Sequence, residues 1–143
     1  MSIFERSRSP WTDRMLSILR VVAGLMFFMS GTMKLFGFPP MPSQIPTMPP
    51  VPMWELHLAG LLETYLGGSF TLGFLTRPIA FVLAGEMAVA YFQANFPLSF
   101  WPTANWGIPT ALYCFVFLYF MFAGAGPWSV DAMIARRAGS RID

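Results

Sequence analysis

Apolar residues run through this chain in long blocks separated by short polar or proline-bearing breaks. From Met87 to Val130 there is no Asp, Glu, Lys or Arg. That stretch exceeds one membrane crossing and suits two, since a helical span needs roughly 20 apolar residues. The blocks predict four spans: Leu16–Phe36, Leu56–Leu75, Ile79–Asn95 and Trp106–Ala125. None alternates with period two, and hydrocarbon cannot satisfy open backbone groups, so each is read as an α-helix. The fourth carries no charge and is the clearest of them. The expectation is all-α: one four-helix integral membrane bundle over residues 1–143, with a Pro-rich first outer loop.

Small residues recur at helical spacing and predict where the helices approach closely. Gly60, Thr64, Gly67 and Thr71 form one stripe, Ala80, Ala84 and Ala88 another, and Gly24 and Gly31 share a face. Phe27, Phe28, Phe115, Phe117, Phe120 and Phe122 are then expected to face lipid, a partner or a lipidic ligand.

Composition agrees with this reading. The 143 residues are 55% hydrophobic and only 11% charged, against about 25% charged in soluble domains. The net charge of +2 matters less than its distribution. Arg6, Arg8, Arg14 and Arg20 precede or open the first span, Arg77 separates the second from the third, and Arg136, Arg137 and Arg141 follow the fourth. Arg20 and Lys34 fall near the two ends of the first span, where both are expected to snorkel to the headgroups. The other two connections lack Lys and Arg, apart from Lys34 at one rim, so both termini are expected in the cytoplasm. Trp54, Trp101 and Trp106 fall at the expected outer interface, and Trp11 and Trp128 at the inner one. The arginine-led N-terminus resembles a signal peptide, but the longer bracketed run and the lack of a small-x-small site favour an uncleaved span. The arginines are not grouped with aromatics on a polar face, which argues against nucleic acid.

Phe38–Trp54 contains seven prolines and is expected to form a polyproline or turn segment, either a stiff connector or a docking surface. Asn95–Asn105, with Phe96, Phe100 and Trp101, is expected to lie as an aromatic lid.

Few side chains offer chemistry. Cys114 is single and sits among apolar neighbours, which suits packing and excludes a disulfide or Cys-x-x-Cys pair within the chain. His57 is the single histidine, too few for a metal or bis-histidine heme site. Glu63 and Glu86 are the sharpest candidates. A carboxyl inside the hydrocarbon region is costly and faces a bundle interior or cavity. Two readings stand: hydrogen-bond or proton partners of a quinone, or neutral groups joining helices. Ala90 and Gln93 extend the Glu86 face towards Asn95, either as a polar track or as ordinary interhelix contacts. Lys34 falls near Glu55 and His57, which predicts an ion pair across the first hairpin or a headgroup or quinone site at the rim.

The order Leu19-Arg20-Val21-Val22-Ala23-Gly24-Leu25, Gly31-Thr32-Met33-Lys34-Leu35-Phe36-Gly37, Glu63-x-x-x-Gly67-Gly68, Leu75-Thr76-Arg77-Pro78, Phe100-Trp101-Pro102 and Gly124-Ala-Gly-Pro-Trp-Ser-Val-Asp131 resembles DoxX-family membrane proteins over roughly residues 15–133. The resemblance implies a four-helix protein of the bacterial inner membrane in a quinone-linked setting. Ser30 and Asn95 stand where the family often has histidine, and Trp106-Gly107-Ile108 where Gly-Gly-Glu is common. Those departures favour an accessory or scaffold subunit of a quinone-linked redox complex or other large membrane complex, or a homo-oligomer. The alternative is a quinone-binding subunit using Glu63, Glu86, Gln93 and Lys34; a small transporter ranks last. No self-contained catalytic set is present, so any enzymatic role would need a partner.

Overall fold

The computed structural model describes residues 9–40 and 50–139, and its regular elements are all helices. They are α1 (Pro10–Phe36), α2 (Met53–Leu72), α3 (Thr76–Ala90), a π-helical turn (Tyr91–Asn95) continuing α3, α4 (Ile108–Ala123) and α5 (Val130–Gly139). The four expected apolar blocks are therefore helical, with shifted ends. A short amphipathic fifth helix, not anticipated, follows them. The core of the expected proline-rich loop, residues 41–49, lies outside the described residues.

Local chemistry sets the boundaries. Ser9 caps α1 by accepting the Trp11 N–H, and Pro10 fits the first helical position, where no N–H is needed. α1 thus starts a turn and a half before Leu16. Gly73, at φ 73°, ends α2 three residues short of the expected limit, because its left-handed backbone lets the chain reverse. At α4 the Asn105 Oδ1 accepts the Gly107 N–H at 2.8 Å, so the chain is still turning at Trp106, whose φ is 59°. The clearest expected helix consequently has only 16 residues, fewer than α3 together with the π-helical turn that continues it. Of the described helices, α1 alone is both long and apolar enough to cross a membrane by those measures.

α1 and α2 run antiparallel with their backbones nearly touching. A β-carbon on Gly31 would stand 2.5 Å from the Thr64 nitrogen, and one on Gly24 would stand 2.8 Å from the Thr71 nitrogen. The two glycines are seven residues apart, as are the two threonines, so one seam of small residues runs through both contacts. In this register Gly60 packs against Leu35 and Lys34. The first two turns of α2 therefore extend past the end of α1.

α4 packs along α3, and its inner face fills the centre. Phe117 meets Phe27 at 4.8 Å and Phe70 at 5.2 Å between ring centres, and Phe120 meets Phe70 at 5.1 Å, all edge to face. Such pairs add about 0.5–1.5 kcal/mol each beyond burial. This corrects one expectation: Phe27, Phe117 and Phe120 are core residues, while Phe28, Phe115 and Phe122 face outward as expected. Tyr113, Phe117 and Phe120 follow the 3.6-residue period on one face, and Phe115 and Phe122 lie on the other.

The two ends of the described chain meet at one end of the bundle. Trp128 donates its N–H to Ser17 Oγ at 3.2 Å, and Arg20 reaches the same segment.

Candidate functional site

Glu63 and Glu86 lie at almost equal separations from the Gly73–Leu75 turn, one before it and one after. An antiparallel helix pair brings residues so related to one height. The α1–α2 register brings Lys34 to that height as well. Glu63 is about 14 Å along α2 from Leu72, and Glu86 about 15 Å along α3 from Thr76, at 1.5 Å per residue. Both glutamates therefore sit well inside the bundle, and Lys34 reaches Glu63 from the last turn of α1.

Lys34 Nζ donates to Glu63 Oε1. Glu63 is 2% exposed, while the Lys34 side chain keeps 24% of its surface. Glu86 feels the charges of both. Glu63 Oε2 and both Glu86 carboxylate oxygens are buried without a hydrogen-bond partner, and so is the Thr64 hydroxyl. The rest of Glu86 is only half-buried, so its carboxylate lies one side chain below the surface of α3. The arrangement gathers one ammonium and two carboxylates in apolar surroundings, with three acceptor atoms open.

The expected partner of Lys34 was wrong. Glu55 is two turns nearer the free end of α2 than Glu63, in the part that extends past α1. His57 is exposed, and its ring Nδ1 donates to Met53 O at 2.7 Å. Gln93 does not join the centre. It is exposed in the π-helical turn, and no hydrogen bond links it to Glu86. The wider turn carries Asn95 inward instead, where its Nδ2 donates to Asn105 O at 2.9 Å. Asn105 in turn donates to Ser99 O at 2.8 Å and to the Tyr91 hydroxyl at 3.3 Å. This polar knot holds Phe96, Phe100, Trp101 and Trp106 outward.

Arg20 was expected to snorkel to the headgroups, but it is 1% exposed. Its guanidinium donates to Thr71 O at 3.3 and 3.4 Å, to Trp128 O at 2.7 Å and to Ala125 O. These carbonyls close the C-terminal ends of α2 and α4, where helix dipoles favour a cation. Nearby, Asp131 accepts the N–H groups of Leu75 and Thr76 and donates its own N–H to Gly73 O at 2.9 Å. The Gly124–Asp131 motif is thus a structural closure rather than a reactive loop. The sequence carried a signal for Arg20: it shares a helical face with Gly24, Phe27 and Gly31, all buried.

Two open grooves adjoin these elements. One of about 440 Å³ lies between the start of α3 and residues 123–132; one of about 160 Å³, apolar, lies between α1 and α4 beside Met26 and Tyr113. Neither contains Lys34, Glu63 or Glu86. Among the described residues, no group of three His, Cys, Asp or Glu side chains is disposed to hold a metal ion.

The DoxX family model matches residues 15–95. A Haemophilus influenzae protein, described there only as an uncharacterized protein, is 40% identical over 119 residues, covering 81% of this chain and 87% of that one. No solved structure matches. The match over residues 15–95 includes Lys34, Glu63 and Glu86 and stops before α4.

Proposed function

This chain belongs to the DoxX family, and from that premise we propose that it is a four-pass protein of the bacterial inner membrane, both termini cytoplasmic, whose Lys34–Glu63–Glu86 centre receives the head group of a quinone. The observation that carries this reading is the set of three buried carboxylate oxygens without partners. A purely structural carboxyl would be expected to have its acceptors filled, because an unmet buried polar atom costs about 1–3 kcal/mol.

The outer surface supports a lipid setting. Leu25, Met29, Leu58, Leu61, Phe81, Val89, Leu112, Phe115 and Phe122 are all exposed on the four long helices. A soluble monomer seldom leaves so much large apolar surface to water. The short α4 fits if flanking tryptophans and slight local thinning take up the mismatch. All five tryptophans are exposed, which suits anchors at two interfaces.

Chemically, a protonated glutamate of the centre would donate to a quinone oxygen, and an ionised one would accept from the quinol hydroxyl. The chain has no set of residues for passing electrons onward, so electrons would come from a partner subunit. Purification in mild detergent followed by solvent extraction tests this. Bound quinone that is lost in Glu86→Leu supports the reading; failure to retain or take up quinone, even when it is supplied in lipid nanodiscs, overturns it.

A second reading, an accessory subunit docking to a larger complex, has one specific support. Phe92, Phe96, Phe100 and Trp101 form an exposed row of tilted and edge-to-face rings with centres 5.2–6.2 Å apart. Co-purification of a stable partner without quinone would favour it.

A further inference from the structure

We infer that the Lys34–Glu63–Glu86 centre distinguishes the two redox forms of its ligand by hydrogen-bond polarity, binding the hydroxylic quinol when both glutamates are ionised and the carbonyl form, quinone, when the pair holds one proton. This rests on the quinone-site reading above and adds to it which form is bound and when.

The argument is a count of donors and acceptors. Lys34 has one proton on Glu63 Oε1, and its side chain keeps 24% of its surface. The open buried atoms are Glu63 Oε2 and both Glu86 oxygens. When ionised these are acceptors only. A quinone carbonyl is also acceptor-only, so it leaves them unmet. A quinol brings O–H donors and can fill up to two of the three. One added proton changes the match, because a carboxylic O–H can donate to a quinone carbonyl.

Charge leads to the same proton. One ammonium and two carboxylates leave one negative charge in excess, and an uncompensated charge is expensive away from water. Exactly one proton, or a ligand donor that stabilises the anion, relieves it. The helices around Glu86 bring few competing groups. α1 supplies Lys34 and α2 supplies Glu63. α4 carries no charged residue; of its titratable side chains, the Tyr113 hydroxyl is on Met26 Sδ at 3.3 Å, Tyr119 is exposed and Cys114 is half-buried. The proton therefore belongs to the glutamate pair.

Binding and protonation are then linked reciprocally. Quinone binding favours the protonated pair, so quinone binds more tightly as pH falls and takes up a proton. Quinol binding favours the ionised pair, so it tightens as pH rises. The probes are a decyl-substituted benzoquinone, the corresponding hydroquinone kept reduced without oxygen, and its dimethyl ether, which lacks donors. Binding is measured on the full chain in nanodiscs against empty discs, from roughly pH 5 to 10, a range wide enough for a buried glutamate.

The quinone-to-quinol affinity ratio is expected to change by about tenfold or more across that range, the value of one unmet buried group. The dimethyl ether should behave like the quinone. In Glu86→Gln, whose amide donates and accepts at every pH, the ratio should be flat. A pH-indicator dye with the wild-type protein should report about one proton taken up per quinone bound at alkaline pH, a readout that does not depend on the variant folding. A constant ratio with no proton uptake, while both ligands still bind, overturns this inference and leaves the quinone site standing. If neither ligand binds above empty discs, the quinone site itself falls.

Discussion

Asp131 caps a helix to which it does not belong: its carboxylate accepts the N–H of Thr76, the first residue of α3, at 2.9 Å. The second carboxylate oxygen takes the Leu75 N–H at the same distance. Leu75 sits at φ 49°, a left-handed backbone that is costly for a residue with a β-carbon. The cap from α5 thus steadies a strained turn and supplies negative charge at a helix start, where it is favourable. Asp131→Ala is expected to lower stability by about 1–2 kcal/mol. Asp131→Asn, retaining one acceptor, should lose less. Thermal unfolding in detergent measures both; an unchanged midpoint for Asp131→Ala would refute the cap.

Gly31 and Gly85 should respond oppositely to an added methyl group. A β-carbon on Gly31 would press into the α2 backbone at Thr64, whereas one on Gly85 meets nothing within 4 Å. Gly31→Ala is expected to destabilise by about 1–3 kcal/mol through overpacking. Gly85→Ala should stabilise by about 0.5–1 kcal/mol, since alanine loses less freedom in a helix interior. Denaturant or thermal titration of the two variants side by side gives the comparison.

The two halves of the Lys34–Glu63 pair are unequally buried, which predicts unequal mutants. Lys34→Met strands a carboxylate that is 2% exposed, while Glu63→Leu leaves a lysine in the last turn of α1 whose side chain keeps 24% of its surface and can turn towards the helix end. Breaking a buried pair costs about 3–5 kcal/mol. Lys34→Met should approach that loss, and Glu63→Leu should fall well short of it. The double variant should recover most of the deficit, because no charge is then stranded. Acid should narrow the deficit of Lys34→Met, as a protonated carboxyl needs no ammonium. Unfolding midpoints of the four proteins at two pH values decide this.

Arg20→Lys is not a conservative change here. The guanidinium spans three carbonyls on two chain segments, the end of α2 and the α4–α5 connection, and a lysine ammonium lacks the planar fork to do so. Both Arg20→Lys and Arg20→Leu are expected to cost about 2 kcal/mol or more, given about 1.5–3 kcal/mol for a hydrogen bond to a charged group. Both should also speed proteolysis between Pro127 and Arg136. Wild-type resistance in Arg20→Lys would show that charge alone suffices.

Helix positions and the small-residue seam were legible because both depend on local spacing. Gly24, Gly31, Gly60, Thr64, Gly67 and Thr71 announce close approach by size alone. Glu63 and Glu86 stood out because charge is rare in such runs. What the sequence hid depends on register. Lys34 was matched with Glu55 because both flank the first connection, but α2 extends past α1, so Glu63 is the residue at its height. Arg20 was read as snorkelling because it is near a span end; its face, shared with Gly24 and Phe27, was the better guide. Gln93 was assigned by extrapolating an α-helical period through a stretch that widens into a π-helical turn. The inward aromatics were misread as a group because phenylalanine suits core and lipid equally, and only the period separates Phe117 from Phe115.

The closure around Arg20 has a consequence for biosynthesis. During translation the guanidinium emerges early, yet two of its three carbonyl partners, Ala125 and Trp128, are among the later residues to leave the ribosome. The first four helices are made beforehand, but that end stays unfastened until residues 125–128 arrive. Nascent chains arrested before Gly124 should remain open to protease at the α2–α3 turn, and chains extended past Gly139 should be protected; equal sensitivity of the two would mean that the fastening happens by another route.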